Sequence, residues 1–375
     1  MQIRPYQIIE RGGMTDSEYM RRAIELAKRA EGFTNPNPMV GAVVVKDGRI
    51  IGEGYHERCG ELHAERNALA SLTESAEGAT IYVTLEPCCH YGKTPPCTEA
   101  IIEHKLARVV IGSRDPNPLV AGKGAAILRD HGIQVDEDVL REECDEINPI
   151  FFHYITKKQP YVTVKYAMTA DGKIATKSGA SKWITGEESR MEVQHMRHAH
   201  MAIMAGIGTV LADNPMLNVR VEGLKSPVRV ICDSKLRIPA DSQIVTTAGK
   251  YRTIVFCTRE ASDEKTKELE ALGVEIIKVE DQDGQVNLGE VLRNLGQMGI
   301  DSVFVEGGGI LNDSLMRMGL VDALKVFVAP KIFGGMNAKS PVEGQGISDV
   351  ASAQIFKLVD MKRIGKDVLL SYVRE

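Results

Sequence analysis

Two kinds of hydrophobic pattern alternate along the first half of the chain. Short apolar runs such as VGAVVVK and TIYVTL predict buried strands, and the Asp47-Gly48 pair predicts a hairpin turn after the first run. Helical spacing instead marks the stretch from about Ser17 to Arg29. Strands and helices then alternate as far as AGKGAAILRDHG, which predicts a three-layer α/β domain with a mixed sheet.

A polar stretch, EDVLREECDEINPIFFHYI, follows and predicts one helix from about Asp136 to Phe152. The segment Lys157–Pro160 then precedes a β-branched strand, so we place a domain boundary there. We expect a first domain over residues 14–156 and a second over residues 157–375. Residues 1–13 have no periodicity and Met14 directly precedes helix-start residues, so we expect an extension ahead of the first domain.

The second half repeats the alternation of strands and helices. Because helices separate most of the strands, we expect a mostly parallel sheet with antiparallel strands near the end. The expected strands are YVTVKYAM, AIMAG, VRVICD, TIVFCT, VEIIKV, SVFVEG, LKVFVAP and VLLSYV. The expected helices are GEESRMEVQHMRHA, DEKTKELEALG, LGEVLRNLGQMG and GILNDSLMRMG.

Composition narrows the class of protein. The chain has 375 residues, 43% of them hydrophobic and 26% charged, which is typical of a globular protein with two cores. A net charge of -5 without a dense Lys/Arg run argues against a nucleic-acid partner, and seven cysteines fit a reducing compartment. No apolar stretch approaches the length of a membrane span. We expect a cytoplasmic protein that binds neither nucleic acid nor membrane. A small-molecule substrate and a homo-oligomer are further expectations, which do not follow from the composition.

The candidate chemistry is densest between residues 61 and 97. ELHAERNALA predicts a helix that starts near His63 and Glu65, and Cys97 follows two prolines at the start of another predicted helix. Zinc binds imidazole and thiolate, and three protein ligands leave its fourth position for water. A neighbouring carboxylate can then transfer protons. We predict a catalytic zinc site of His63, Cys88 and Cys97, with Glu65 as its acid–base residue.

Other arrangements fit the same residues. A structural zinc site would be closed by a fourth ligand such as Cys89 or His90, and a disulfide could instead join two of the cysteines. Asn37, between prolines in NPNP, and His56, in GYHERCG, precede the motif and are candidates to reach a substrate. A turn residue and a surface residue are the alternatives for these two positions.

The second half carries one comparable signal, in SVFVEGGGILNDSLM. A buried strand is followed by Gly307-Gly308-Gly309 and then a helix, so backbone N–H groups could approach a phosphate at the helix start. The spacing differs from the G-x-G-x-x-G of a Rossmann domain, and tight packing without a ligand is the alternative.

Together these motifs resemble one family. H-x-E followed by P-C and a second Cys is typical of zinc nucleobase deaminases, although the spacing between the cysteines is longer here. The chain resembles the bacterial bifunctional riboflavin-biosynthesis deaminase–reductases in NPNPMVGAVVV, TLEPCCHYGKTPPC, KYAMTADGKIA, SGASKWITG, GIGTVLADNPMLNVR and VEGGGILNDSL. The resemblance covers most of the chain. It implies a cytidine-deaminase-like three-layer domain followed by a dihydrofolate-reductase-like α/β domain.

The same resemblance implies two reactions. They are zinc-dependent deamination of 2,5-diamino-6-ribosylamino-4(3H)-pyrimidinone 5′-phosphate and NADPH-dependent reduction of the ribosyl group to a ribityl chain. For four of the contact residues named below, an ordinary structural role is the alternative: a core aromatic for Trp183, solvated surface charges for Arg197 and Arg220, and a strand-edge residue for Lys165. The implied NADPH contacts are Ala167, Trp183, Thr209, Asp213, Gly308, Gly309, Ile310, Leu311, Asn312, Asp313 and Ser314. The implied substrate contacts are Asn37, Lys165, Ser181, Arg197, Leu217, Arg220 and Glu306.

Two other functions compete with this interpretation. A nucleic-acid base deaminase would need a basic surface that the sequence does not indicate. A zinc-stabilised binding protein would need no acid–base residue, so replacing Glu65 by Gln distinguishes it from an enzyme.

Overall fold

The computed structural model describes residues 14–91, 95–117 and 120–375. Contacts divide the chain into two units that meet in sequence between Thr156 and Lys157. The expected extension over residues 1–13 lies outside the described residues.

The first unit is built on a five-stranded mixed sheet with the order β2-β1-β3-β4-β5. β1 pairs antiparallel with β2 and β3, whereas β3, β4 and β5 run parallel. The predicted mixed sheet is therefore confirmed. The strands are β1 Gly41–Lys46, β2 Arg49–Tyr55, β3 Thr80–Leu85, β4 Arg108–Ser113 and β5 Gln134–Asp136. The helices are α1 Asp16–Lys28, α2 Ala64–Ala70, α3 Cys97–Glu103, α4 Lys123–Asp130, α5 Arg141–Asp145 and α6 Pro149–Lys157.

Side chains that alternate along these strands build two cores, one on each face of the sheet. Val44 and Ile81 pack with residues of α2, α3 and α4. Their neighbours Val43 and Tyr82 pack instead with residues of α1 and with Cys144 of α5. The unit therefore has the three layers that the sequence pattern predicts.

The single helix predicted over about Asp136–Phe152 is wrong. The segment begins with the end of β5 and then forms two short helices. Leu140 has a left-handed backbone with φ of 55°, and Pro149 cannot continue α5 because it lacks an N–H. Between the helices, Asn148 exchanges two hydrogen bonds of 2.8 Å with the backbone of Met39, which fixes the break.

The second unit contains a nine-stranded sheet with the order β10-β9-β8-β7-β13-β6-β14-β16-β15. All neighbouring pairs from β10 to β14 are parallel, and the last two pairs are antiparallel, as predicted. The strands are β6 Tyr161–Thr169, β7 Ala202–Gly206, β8 Val228–Cys232, β9 Thr253–Thr258, β10 Glu275–Val279, β11 Asp281–Gln282, β12 Gln285–Val286, β13 Ser302–Val305, β14 Ala323–Ala329, β15 Phe356–Ile364 and β16 Asp367–Arg374. The helices are α7 Glu187–Ala199, α8 Ile207–Asp213, α9 Gln243–Thr246, α10 Asp263–Ala271, α11 Leu288–Gln297 and α12 Gly309–Arg317.

Hydrophobic patterning does not predict several of these elements. β15 is exposed along almost its whole length, so its residues show no alternation between a core face and a solvent face. Helix α8 is only seven residues long, and the pair β11 and β12 has two residues per strand. None of the helices in the described ranges has the length and apolarity that a bilayer crossing requires.

Candidate metal centre and reductase cleft

Two helix starts hold the three predicted metal ligands together. His63 is the N-cap of α2, and Cys97 is the first residue of α3. The loop after β3 carries Cys88. It is tied to the start of α3, because the backbone carbonyl of Cys88 accepts a hydrogen bond of 3.1 Å from the Cys97 N–H. Gly54 of β2 lets α2 approach closely, since a Cβ there would lie 2.3 Å from the Ala68 nitrogen. The sheet thereby fixes the helix that carries His63.

The ligand atoms have the separation that a single zinc ion requires. His63 Nδ1 lies 3.4 Å from Cys88 Sγ and 3.5 Å from Cys97 Sγ. Bond lengths of about 2.3 Å to sulfur and about 2.0 Å to nitrogen put tetrahedral ligand atoms roughly 3.5–3.8 Å apart. All seven cysteines of the chain are free thiols, so the disulfide alternative is wrong. Within the described residues, neither Cys89 nor His90 belongs to this cluster of ligand atoms.

The thiols of Cys88 and Cys97 have pKa values shifted in opposite directions. The hydrogen bond with Cys97 is the main cause that lowers the pKa of Cys88 to about 4, and His63 adds to the shift although burial opposes it. The same hydrogen bond, together with burial, raises the pKa of Cys97. Cys88 is therefore the thiol that loses its proton more easily, and a divalent cation that binds the cluster would displace the proton of the other. This donor set fits zinc.

Glu65 lies beside the ligands in a nearly closed environment. Only 3% of the residue is exposed, and burial is the main cause that raises the pKa of its carboxyl to about 7, with the charge of Cys88 adding to the shift. His63 opposes this change. A carboxyl group with a pKa near neutrality can both accept and return a proton, as an acid–base residue must.

A cavity of about 370 Å³ opens next to the ligands, and both Asn37 and Glu65 line it. Asn37 Nδ2 donates a hydrogen bond of 3.2 Å to His56 Nε2, while His56 Nδ1 donates to the Leu62 carbonyl at 2.9 Å. His56 is buried rather than a surface residue, and burial is the main cause that lowers its pKa. The two residues thus form one polar wall of the cavity.

Sequence reasoning missed Asp115 and Asn117, which also line this cavity. They follow β4, whose carboxyl end lies beside that of β3 because the two strands are parallel. Burial is the main cause that raises the pKa of Asp115 to about 6, and its carboxylate accepts a hydrogen bond of 2.8 Å from the Asn117 N–H. The signal was present, since DPNP after β4 places polar side chains between prolines as NPNP does before β1.

The second unit has a cleft of about 980 Å³ at the carboxyl ends of β7, β8 and β13. Asn312, Asp313 and Ser314 do not line it. Their side chains bond instead to the Pro341 carbonyl, to Arg317 and to the Ile310 carbonyl. The predicted contact residues that do line the cleft are Lys165, Ala167, Ser181, Trp183, Arg197, Thr209, Asp213, Leu217, Arg220, Glu306, Gly308, Gly309, Ile310 and Leu311.

A largely buried cluster of charges forms part of the cleft wall. Glu306 directly follows β13. Its carboxylate lies 2.5 Å from Arg197 Nε and 3.5 Å from Lys165 Nζ. Burial would raise the pKa of Glu306, but the charges of Arg197 and Lys165 outweigh it and hold the pKa at about 2. Arg197 is thus not a solvated surface charge, since only 12% of its side chain is exposed.

The glycine turn presents open backbone to the same cleft. Gly308 is the N-cap of α12, and no side chain caps this helix start. A Cβ added at Gly308 would meet nothing nearer than Thr209 Oγ1 at 3.9 Å, so the glycine leaves room beside the free N–H groups of the helix. Trp183 also lines the cleft and is 60% exposed, which rules out the core aromatic alternative. These features fit the phosphates and rings of a dinucleotide.

Two family models match the chain, one for each unit. Residues 14–113 match the cytidine and deoxycytidylate deaminase zinc-binding region, and residues 160–370 match the RibD C-terminal domain. The riboflavin biosynthesis protein RibD of Actinobacillus pleuropneumoniae is 54% identical over 360 residues, which cover 96% of each chain. RibD of Escherichia coli K12 is 39% identical over 96% of this chain and 100% of that protein.

The chain belongs to the RibD family. Solved structures agree: Acinetobacter baumannii RibD has a TM-score of 0.85 and 38% identity over 96% of this chain and 99% of its own. A Thermotoga maritima protein described as a diaminohydroxyphosphoribosylaminopyrimidine deaminase/5-amino-6-(5-phosphoribosylamino)uracil reductase has a TM-score of 0.84 and 43% identity over the same fractions. Membership of the RibD family confirms the predicted fold, the pairing of a deaminase with a reductase, and the predicted cofactors zinc and NADPH.

Proposed function

We propose that residues 14–156 deaminate 2,5-diamino-6-ribosylamino-4(3H)-pyrimidinone 5′-phosphate and that residues 157–375 reduce the ribosyl group of the product with NADPH. The observation that carries the deaminase half is the cluster of three metal ligands, the number found among the described residues, beside the buried carboxyl of Glu65. The two activities in the name of the Thermotoga maritima relative support the choice of substrate.

In the deaminase unit, His63, Cys88 and Cys97 would hold the zinc ion. When bound, zinc supplies a water molecule that is activated near neutral pH. Glu65 takes a proton from the attacking water and delivers it to the amino nitrogen as the carbon–nitrogen bond breaks, so the products are ammonia and a ring carbonyl. Asn37 and His56, which are hydrogen-bonded to each other, orient the pyrimidine ring in the cavity.

In the reductase unit, Gly308 and the first turn of α12 would hold the phosphates of the dinucleotide, with Thr209 opposite. When bound, NADPH supplies the hydride that C1′ receives as the sugar ring opens to a ribityl chain. Glu306 fixes Arg197 and Lys165 in place and so orients their donors toward the substrate. Arg220, exposed at the cleft wall, supplies a forked donor for the 5′-phosphate.

We further propose a cytoplasmic homo-oligomer that has no nucleic-acid partner. The net charge of -5 supports the last point, because a polyanion needs a basic surface. A second copy of the chain would cover β15, an edge strand on which Val359 is 51% and Met361 68% exposed. Light scattering of the purified chain measures this state, and a monomeric mass would contradict the proposed oligomer.

A two-stage assay tests the proposed reactions. The diamino pyrimidine phosphate alone should release ammonia, and added NADPH should be oxidised only after ammonia has appeared. If the deaminated intermediate is supplied and NADPH is still not oxidised, the reductase assignment is wrong. Ammonia from an RNA oligonucleotide but not from the pyrimidine phosphate would favour a nucleic-acid deaminase instead.

A further inference from the structure

A segment of chain after β14, residues 331–344, contacts two separate parts of the reductase cleft wall, and we name it the strap. Its first part is held by Asp171, which lies in the turn after β6. The Asp171 carboxylate accepts hydrogen bonds of 2.7 Å from the Gly334 N–H and 3.2 Å from the Phe333 N–H. A hydrogen bond from the Thr169 hydroxyl, followed by the bond from Gly334, lowers the pKa of Asp171 to about 2. The carboxylate is therefore charged at neutral pH, which strengthens its hydrogen bonds to the strap.

One side chain of the strap reaches the segment that carries Trp183. Lys331 Nζ donates a hydrogen bond of 2.7 Å to the Trp183 carbonyl, and the Lys331 carbonyl in turn accepts one of 2.9 Å from the Ala170 N–H. The Trp183 ring is open to the cleft, and the Arg190 guanidinium lies 4.7 Å from the centroid of the ring. Lys331 therefore holds the backbone of Trp183, while Arg190 holds its ring.

The far part of the strap packs on the glycine turn at the start of α12. The Asn312 side-chain amide donates a hydrogen bond of 2.8 Å to the Pro341 carbonyl, and the Glu343 N–H donates one of 3.0 Å to the Gly309 carbonyl. A Cβ added at Gly309 would lie 2.6 Å from Glu343 Cγ, so a larger residue there would displace the strap. Asn312 thus acts on the cleft through the strap rather than by lining the cleft.

The strap ties the Trp183 segment to the glycine turn. Both line one cleft, and they follow β6 and β13, which are neighbours in the sheet. A cofactor that spans both segments binds more tightly when they already have the required spacing, because less conformational freedom is lost on binding. The hydrogen bonds of Asp171 and Lys331 fix this spacing before the cofactor binds.

We propose that Asp171 and Lys331 are positioning residues for the reduction, because they hold the strap and Trp183 in the arrangement that NADPH binds. The inference deepens the reductase function proposed above and rests on it. Asp171 and Lys331 are not among the residues that line the cleft, so their effect on the cofactor passes through the strap. Interactions made equally in the ground state and the transition state change KM rather than kcat.

Kinetics with the deaminated intermediate and Trp183 fluorescence, both on the full-length chain, test this inference together. In Asp171→Ala and Lys331→Met, the KM for NADPH should rise about 3- to 10-fold while kcat stays within about twofold of the wild type. Trp183 is the only tryptophan of the chain, so time-resolved anisotropy reports its nanosecond motion. The amplitude of that motion should roughly double in both variants. Lys331→Arg should restore both values, because a guanidinium can donate to the same carbonyl.

Lys177→Met is the matched control. Lys177 is exposed and lies beside the strap at Gly335, but its ammonium has no hydrogen-bond partner among the described residues. Its removal should change neither the KM for NADPH nor the anisotropy of Trp183.

Wild-type KM and anisotropy in both Asp171→Ala and Lys331→Met would overturn the inference, even if urea unfolding showed the variants to be less stable. A Lys331→Arg variant that behaves like Lys331→Met would overturn it as well. A wild type that oxidises no NADPH would contradict the reductase function instead, and the anisotropy of the variants would still decide whether the strap holds Trp183.

Discussion

Replacing Glu306 by Gln removes the carboxylate that, among the described residues, neutralises two largely buried cations in the reductase cleft. Its side chain is 14% exposed, and those of Arg197 and Lys165 are 12% and 15% exposed. The neutral amide keeps the shape of the side chain but leaves both cations without a counter-charge. Removing one partner of a buried ion pair is strongly destabilising for this reason.

The size of the effect follows from the pKa of Glu306, which falls from 4.5 to about 2 on folding. At 1.36 kcal/mol per pKa unit, the ionised carboxylate contributes about 3 kcal/mol at pH 7. Because the folded pKa is the lower one, this contribution is complete above pH 4.5 and is lost as the pH falls through about 2. At pH 3.5 it has already decreased to about 2 kcal/mol.

Urea unfolding of the wild type and of Glu306→Gln at pH 7 and pH 3.5 measures this difference. Trp183 is the only tryptophan of the chain, so its fluorescence reports on the second unit. Glu280→Gln is the control, because Glu280 pairs with Arg259 in solvent and should contribute less than about 1 kcal/mol. A Glu306→Gln variant no less stable than this control, or one whose deficit does not shrink at pH 3.5, would refute the reasoning.

Three further changes have defined outcomes. Gly308→Ala should fold normally, because its Cβ would be 3.9 Å from the nearest atom, but should weaken NADP⁺ binding in calorimetry by about tenfold through crowding of the phosphate site. Asp115→Asn should retain zinc yet lower kcat/KM for ammonia release by about 10- to 100-fold, since it alters a buried wall of the substrate cavity; wild-type kinetics would contradict that role. Arg108→Ala should lower the free energy of unfolding by about 1–2 kcal/mol, because Arg108 joins Asp16 at 2.7 Å to Asp136 at 2.6 Å in a half-buried network, and unchanged thermal unfolding would contradict it.

The metal centre was predictable from the sequence because its parts are local. His63 and Glu65 are two residues apart at one helix start, and Cys88 and Cys97 bracket a single loop before another. The packing of α2 against Gly54 and the hydrogen bonds from Arg66 to the carbonyls of Pro95 and Pro96 help to bring the halves together. The spacing of the motif residues was therefore enough to predict that these side chains lie together.

The reductase cleft depends instead on contacts between distant segments. Lys165 lies on β6, Arg197 on α7 and Glu306 just after β13, as many as 141 residues apart in the chain. Only the family resemblance predicted that they share a site. The position of Asp115 at the cavity was not predicted, because it depends on β4 lying parallel to β3. Strand β15 was not predicted, because exposure on both faces removes the periodic signal on which strand prediction depends.

The most direct test of the account is to measure zinc content and ammonia release together in the wild type and in Glu65→Gln. The account predicts about one zinc ion per chain in both proteins, with ammonia release about 10²- to 10⁴-fold slower in the variant because the proton carrier is gone. Unchanged turnover in Glu65→Gln, or full activity in a wild type that holds no zinc, would contradict the assignment of the site.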